Sequence, residues 1–322
     1  MDRRTFLSLL GTAGLAGCGG VPGTGLFSES SSGRSVTFIV PAPAGSRTGK
    51  AGGILAASLQ REIGKPVNIL NVEGPGTAYQ ILASAPADGS TLGLVAADIV
   101  TTHRAGLSAA GPHSVTALAL FNEDPAGIHV RSDAPWANAR DLTAKVRSEP
   151  GRVTASGAGR RAIWHLSAHR WITANGIDGS ALPWEPAPGP AAAAEELVAG
   201  GGPAVVVCSV PEIRATPSAP RIRTLAVMAK QRSRRYPEIA CLSESGLPFQ
   251  IGLWRGVAGP RGLPPELAKK MSAALRRVYT AETFRSEMFR RGFGLAWADA
   301  PQFAQFMEKE DQAIGSALRA IG

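Results

Sequence analysis

Two loops in this chain carry residue types suited to holding an anion. Pro41-Ala-Pro-Ala-Gly-Ser-Arg-Thr-Gly-Lys50 follows the apolar run Phe38-Ile-Val40 and opens a helical pattern that reaches Ile63. Such a small-residue loop leaves the first amide N–H groups of the helix unpaired, with the positive end of the helix dipole behind them. Ala44, Gly45, Ser46, Arg47 and Thr48 are therefore candidate ligand-binding residues. The second loop, Ser156-Gly-Ala-Gly-Arg160, follows the strand-like run 153–156 and adds Ser156, Gly157, Ala158, Gly159 and Arg160. Gly and Ala let backbone amides approach a ligand closely, and an arginine can add charge-assisted hydrogen bonds to a carboxylate. For Arg47 and Arg160 a solvated surface role is an equal alternative. Ala97, Asp98 and Ser209 end two further apolar runs of strand length, where open α/β sheets receive ligands.

Other chemistries fit these residues less well. Gly45 to Lys50 resembles a P-loop, but Ala44 and Ala51 stand where its first glycine and its Mg²⁺-binding Ser/Thr belong. Gly157-Ala-Gly-Arg-Arg-Ala162 fits the dinucleotide fingerprint with Asp178 about 20 residues on, yet Asp178 sits in a Gly-Ile-Asp-Gly turn with no strand leading to it. Ser156, His165 and Ser167 form no legible nucleophile elbow or triad. The five histidines are dispersed, and no Cys/His spacing resembles a metal site. The expectation is a protein without catalytic residues, metal or cofactor.

The elements that position these loops alternate. Strands are predicted at 35–41, 67–72, 91–96, 114–121, 127–131, 153–156, 204–209, 222–228 and 252–260. Asn122-Glu-Asp-Pro125 reads as a turn between the fourth and fifth. Helical patterns lie between the strands, and three helices close the chain with stripes such as Leu267, Met271, Leu275 and Val278. That alternation predicts α/β units with largely parallel sheets, and the length favours two domains.

Asp2-Arg-Arg-Thr-Phe-Leu7 has the twin-arginine form, and the apolar run after it is too short for a bilayer, which takes about 20 residues. Leu15-Ala-Gly-Cys18 closes that run like a lipoprotein processing box, so 1–17 reads as a signal peptide, Cys18 as a lipidation site and 18–34 as a flexible tether. Cleavage would lower the net charge from +9 to +8. Lys and Arg are spread rather than clustered with aromatic residues, which argues against nucleic acid and for attraction of small anions. Cys208 and Cys241 remain, as a disulfide or as buried thiols.

Several stretches together resemble the Bug-type periplasmic receptors of tripartite tricarboxylate transporters. They include Val40-Pro-Ala-Pro-Ala-Gly45 with Thr48, Gly64-Lys-Pro-Val67 with Asn71, Ala85-Pro-Ala-Asp-Gly-Ser-Thr-Leu92, Ser156-Gly-Ala-Gly159 with His165-Leu166, Ile222-Arg-Thr-Leu-Ala-Val227, and Gly259-Pro-Arg-Gly-Leu-Pro264. The resemblance implies a two-lobed periplasmic-binding-protein fold of type II with two inter-lobe crossings, lobe 1 at 35–135 and 250–322, lobe 2 at 136–249. It further implies closure on a small organic acid through the loops at 44–48 and 156–159 in the service of membrane transporter subunits; with the processing box at Cys18, the expectation is a monomer lipid-anchored in the periplasm. A sensor that docks on a signalling protein, or an exported dinucleotide-binding enzyme, are the alternatives. The chain departs from the family where Gly49 follows Thr48 in place of an aspartate, where Trp184-Glu-Pro186 replaces Tyr-Lys-Gly, and where Ala204 replaces another aspartate.

Overall fold

The polar tetrad Asn122-Glu-Asp-Pro125 does not turn the chain back. A computed structural model describes residues 35–321, and in it one strand, β4 (Val115–Arg131), runs straight through the tetrad. Its first half pairs with β8 (Gly252–Pro260) from Val115↔Pro260 to Pro125↔Gly252. Its second half pairs instead with β6 (Val205–Ser209) and β7 (Ile222–Val227). The tetrad stays extended because Asn122 and Asp124 find buried partners, described below, in place of water. Pro125, which has no N–H to donate, sits where one set of strand partners gives way to the other.

The first half of β4 belongs to a sheet of order β2–β1–β3–β8–β4, with β1 Val36–Val40, β2 Val67–Asn71 and β3 Thr91–Ala96. The second half belongs to β7–β4–β6–β5, with β5 Ala155–Ser156. Among the strands of the described residues, β1 with β2, β1 with β3, and β5 with β6 are parallel, and every pair that involves β4 or β8 is antiparallel. The largely parallel arrangement read from the sequence is thus corrected to a mixed one, since periodicity carries no information on strand direction. The chain passes between the sheets at Pro125–Ala126 and returns at Ile251–Gly252. There Ala126 N–H donates to Ile251 O (2.9 Å) and Met228 N–H to Ala126 O (2.7 Å).

Helices cover both faces of the first sheet. On one face α1 (Arg47–Ile63), α8 (Pro265–Thr280) and α9 (Glu282–Arg290) bury Leu55, Leu59, Met271, Leu275 and Phe284 against Phe38, Leu94 and Val257. On the other, α2 (Pro75–Ser84), α3 (Asp98–Arg104) and α10 (Ala300–Ile321) bury Tyr79, Leu82, Phe303 and Ile314 against Ile39, Val95 and Trp254. The second sheet has its own core, in which α4 (Ala139–Ser148), α5 (Ile163–Ala174) and α6 (Pro190–Ala199) contribute Leu142, Val146, Trp171 and Leu197. The apolar stripes predicted on the C-terminal helices face inward as expected. Among the described residues, no helix is long and apolar enough to cross a membrane.

Cys208 and Cys241 are both free and buried. Cys208 pairs with Gly127, Gly127 with Val227, and Val227 with Cys241, so three strand spacings separate them. At ~4.8 Å per strand that is about 14 Å, beyond the ~7 Å limit for a disulfide.

His129 ties the second sheet together. Its Nε2 donates to Cys208 O (3.0 Å) on β6, and its Nδ1 accepts from Thr224 Oγ1 (2.9 Å) on β7. Burial lowers its pKa from 6.5 to about 4. The folded state therefore keeps it neutral while the unfolded chain takes up a proton between pH 6.5 and 4, and stability falls as pH drops through that window. Each such histidine adds about 1.4 kcal/mol per pH unit to the slope. Thermal melts between pH 7 and 4 should show a shallower decline for His129→Gln than for the wild type; equal slopes would mean that His129 is charged in the fold.

Candidate functional site

The loop at 41–46 closes on itself before α1 begins. Ser46 caps the helix, its Oγ accepting from Gly49 N–H (3.0 Å) and donating to Pro43 O (2.7 Å). A Cβ on Gly49 would lie 2.1 Å from Pro43 O, so the sequence needs glycine there for the loop to fold over the helix start. Ala44 and Gly45 are exposed, while Ser46, Arg47 and Thr48 are half-buried.

Arg47 and Thr48 turn toward the strand crossing. Arg47 Nη2 donates to Asp124 Oδ2 (3.1 Å) and Gly292 O (3.0 Å), and its guanidinium lies 4.1 Å from the centre of the Phe293 ring. Arg255, fully buried on β8, donates from Nε to Thr48 Oγ1 (3.1 Å) and from Nη1 to Asp124 Oδ2 (2.9 Å) and Asn122 Oδ1. Asp124 Oδ1 accepts from Gly294 N–H (2.9 Å) and Asn122 Nδ2 (3.2 Å). Burial by itself would raise the Asp124 carboxyl, but Arg255, Arg47 and the Gly294 amide outweigh it and hold it below its ordinary value. Asn122, Asp124 and Arg255 were not legible as site residues, although a lone arginine inside the apolar run Leu253-Trp-Arg-Gly-Val257 is a signal for a buried ion pair.

The remaining candidates divide between two neighbourhoods. Ala97 is buried, and Asp98 opens α3, where Tyr79 OH donates to its Oδ1 and Thr102 Oγ1 to its carbonyl (2.6 Å). Burial raises Asp98, with Arg255 acting in the opposite sense, so this carboxyl belongs to the same electrostatic neighbourhood as Arg255. Ser209, at the end of β6, donates through Oγ to Glu212 Oε2 (2.6 Å), and Glu212 in turn feels Arg47. Ser209 and Asp124 both line a cavity of about 820 Å³ at the crossing.

Ser156 to Arg160 form a different neighbourhood, between β5 and α5. Ser156 is fully buried and its Oγ has no hydrogen-bond partner. Gly157 packs so closely on β6 that a Cβ would meet Val207 O at 2.1 Å, whereas Gly159 has nothing within 4 Å. Ala158 O accepts from Trp184 Nε1 (3.0 Å), and the Trp184 ring stacks on His165 at 4.9 Å. His165 Nδ1 accepts from Arg161 N–H (3.0 Å), and burial with nearby Arg160 lowers its pKa to about 4. Gly159 and Arg160 are exposed. Asp178, the acidic position of the dinucleotide fingerprint, accepts from Ser180 N–H (2.8 Å) at a short helical turn and ends no strand. Among the described residues, no group of His, Cys, Asp or Glu could hold a metal ion. Cys18 and the segments 1–17 and 18–34 lie outside the described residues.

The model of the tripartite tricarboxylate transporter family receptor matches residues 53–322. The chain belongs to that receptor family. A TctC solute-binding protein from Polaromonas, solved without ligand, superposes with a TM-score of 0.77 at 28% identity, covering 89% of this chain and 98% of the other. MatC from Rhodopseudomonas palustris, solved with bound malate, superposes with a TM-score of 0.68 at 22% identity over 88% of this chain and 98% of its own. BugT of Bordetella pertussis is 23% identical over 296 residues, 90% of either chain. This receptor therefore has the periplasmic solute-binding-protein fold that the resemblance implied, and it is not an enzyme.

Two outcomes test the site. Asp124→Ala leaves Arg255 buried without its counter-charge, a change that costs about 3–5 kcal/mol; chemical denaturation should show it, and a loss below 1 kcal/mol would mean the pair is idle. Gly157→Ala should lower the melting temperature by several degrees, because a Cβ there meets backbone rather than a movable side chain, while Gly159→Ala should leave it unchanged.

Proposed function

We propose that this receptor captures a small organic acid where its two sheets exchange strands and presents it to a membrane transporter. The observation that carries this reading is the cavity of about 820 Å³ at the crossing, lined by Ser209 from the second sheet and by Asp124, to which Arg47 of the first loop is bound. A volume of that order accommodates a small metabolite. Binding at the junction of two cores lets closure of one on the other enclose the ligand. We place the lobes accordingly, with the crossings at Pro125–Ala126 and Ile251–Gly252; the strand partners favour the first of these over a boundary at 135.

The exposed residues Ala44 and Gly45 at the start of α1 suit a carboxylate oxygen, whereas the partnerless hydroxyl of Ser156 is wholly buried. Of the residues singled out in the sequence, Ser209 lines this cavity, whereas those at 44–48, 97–98 and 156–160 do not. Receptors of this family act in the periplasm. For this chain we assign export to the twin-arginine segment, anchoring to acylated Cys18, and reach to the tether 18–34; these assignments rest on sequence alone. The partner is the membrane subunits of a tripartite transporter, a role consistent with the family.

A thermal-shift screen against malate, longer dicarboxylates, tricarboxylates, amino acids and NAD tests the reading. Binding to the native state adds about 2.7 kcal/mol at a hundredfold excess over Kd, enough to read as a shift of several degrees. A shift with a carboxylate is the expected result; a shift with NAD alone would overturn it.

A further inference from the structure

The sheet edge at β2 is bare where the other edges are covered. Ala155 N–H of β5 donates to Pro183 O (2.9 Å), Val227 N–H of β7 to Ala240 O (2.9 Å), and Leu120 N–H of β4 to Ala298 O (3.0 Å), so a further segment meets each of those strands. On β2 the ladder to β1 runs from Val36 N–H donating to Pro66 O (2.8 Å) to Val72 N–H donating to Val40 O (2.9 Å). That register turns the backbone groups of Asn68 and Leu70 toward β1 and those of Val67, Ile69 and Asn71 outward. Among the described residues, the one partner on the outer side is the Gln60 side chain, whose Oε1 accepts from Val67 N–H (3.0 Å).

Exposed edges are ordinarily guarded by charge, proline or a bulge, because unpaired strand groups invite pairing with another chain. β2 has none of these. Its residues Asn68, Ile69, Leu70 and Asn71 are exposed, with Ile69 on the α1 face beside Phe38 and Leu70 on the α2 face beside Ile39. α2 carries no charged residue and exposes Ile81. From Lys65 to Ala87 the chain holds one positive and one negative residue, Lys65 and Glu73, which cancel. Two copies of a chain with a net charge of +9 repel one another over most of their surface, but not along this edge.

The edge is also self-complementary. Turned antiparallel about a two-fold axis at Ile69, it lets Ile69 exchange both hydrogen bonds with its counterpart, while Asn71 N–H of each copy donates to Val67 O of the other and the Gln60 contact stays in place. Lys65 and Glu73 lie four residues either side of Ile69, so the same axis sets each lysine opposite the other copy's glutamate. Exposed ion pairs add little energy, but these select this register over a slipped one.

We propose that β2 is a homodimer interface, through which two copies join edge to edge, antiparallel and centred on Ile69, into one continuous sheet. The monomer expected from the sequence becomes the dissociated state. β1, β3 and β8 separate β2 from the strand crossing, so pairing leaves the cavity there open and the inference is independent of the receptor reading. The contact is at the small end of specific interfaces, and a Kd of about 10 μM is expected.

Sedimentation velocity of the full chain between about 1 and about 100 μM, in a thiol reductant, tests it. The mass should rise from one chain to two across that range. Ile69→Lys, which sets like charges face to face at the axis, should raise Kd about tenfold or more at an unchanged melting temperature. Glu73→Lys should weaken pairing about threefold and Lys65→Glu/Glu73→Lys should restore it, a rescue that a merely loosened edge does not give; if Ile69→Lys is itself destabilised, this charge exchange decides. A single chain mass at every concentration overturns the dimer, and slow exchange of the Ile69 and Asn71 amides in that monomer would assign the edge to another segment of this chain. A dimer that a folded Ile69→Lys leaves intact, or that the charge exchange fails to restore, overturns the proposal as well.

Discussion

The buried pair of Asp124 and Arg255 is the constraint on which the architecture hangs. Both side chains are almost wholly removed from water, and a charge in that position is tolerable only when its partners surround it. Asp124 receives four donors, from Arg47, Arg255, Asn122 and Gly294. They come from the start of α1, from β8, from β4 itself and from the segment between α9 and α10. One carboxylate thus fixes where four parts of the chain meet, at the point where the strands change sheets. An apolar cluster of the same size could be as stable, but it would not specify the register of β4 on β8 through directed bonds.

That fixed point also organises the candidate site. Thr48 and Arg47, at the N-terminus of α1, are held by the same two residues, so the anion-suited loop is anchored to the crossing rather than left to wander. Asp98 feels Arg255, and Glu212 beside Ser209 feels Arg47. A group bound at the crossing therefore touches a network that runs into both sheets. This is the arrangement a binding protein needs if occupancy is to be felt by the whole molecule, because a ligand shifts a conformational balance only through contacts that differ between states. The loop at 156–160 sits apart from this network, packed by Gly157 on β6 and by Trp184 on His165.

The sequence by itself determined most of the elements and their order, though not α3. Apolar runs and helical stripes placed the strands and the three C-terminal helices within a few residues, because burial of one face imposes a period that survives in the sequence. Small-residue loops at strand ends marked Ala44 to Thr48 and Ser156 to Arg160, and the ordered motifs pointed to the family that the comparisons show. What only the tertiary structure decided was strand direction, the continuity of β4 through Asn122-Glu-Asp-Pro125, and the partners of the charged residues. A polar tetrad ending in proline reads as a turn until Arg255, some 130 residues away, is brought beside it. The cavity has the same origin, since Glu123, Trp254 and Phe306 of its lining come from three separate stretches. Local periodicity records which face is buried; it holds no record of which distant charge will be found there.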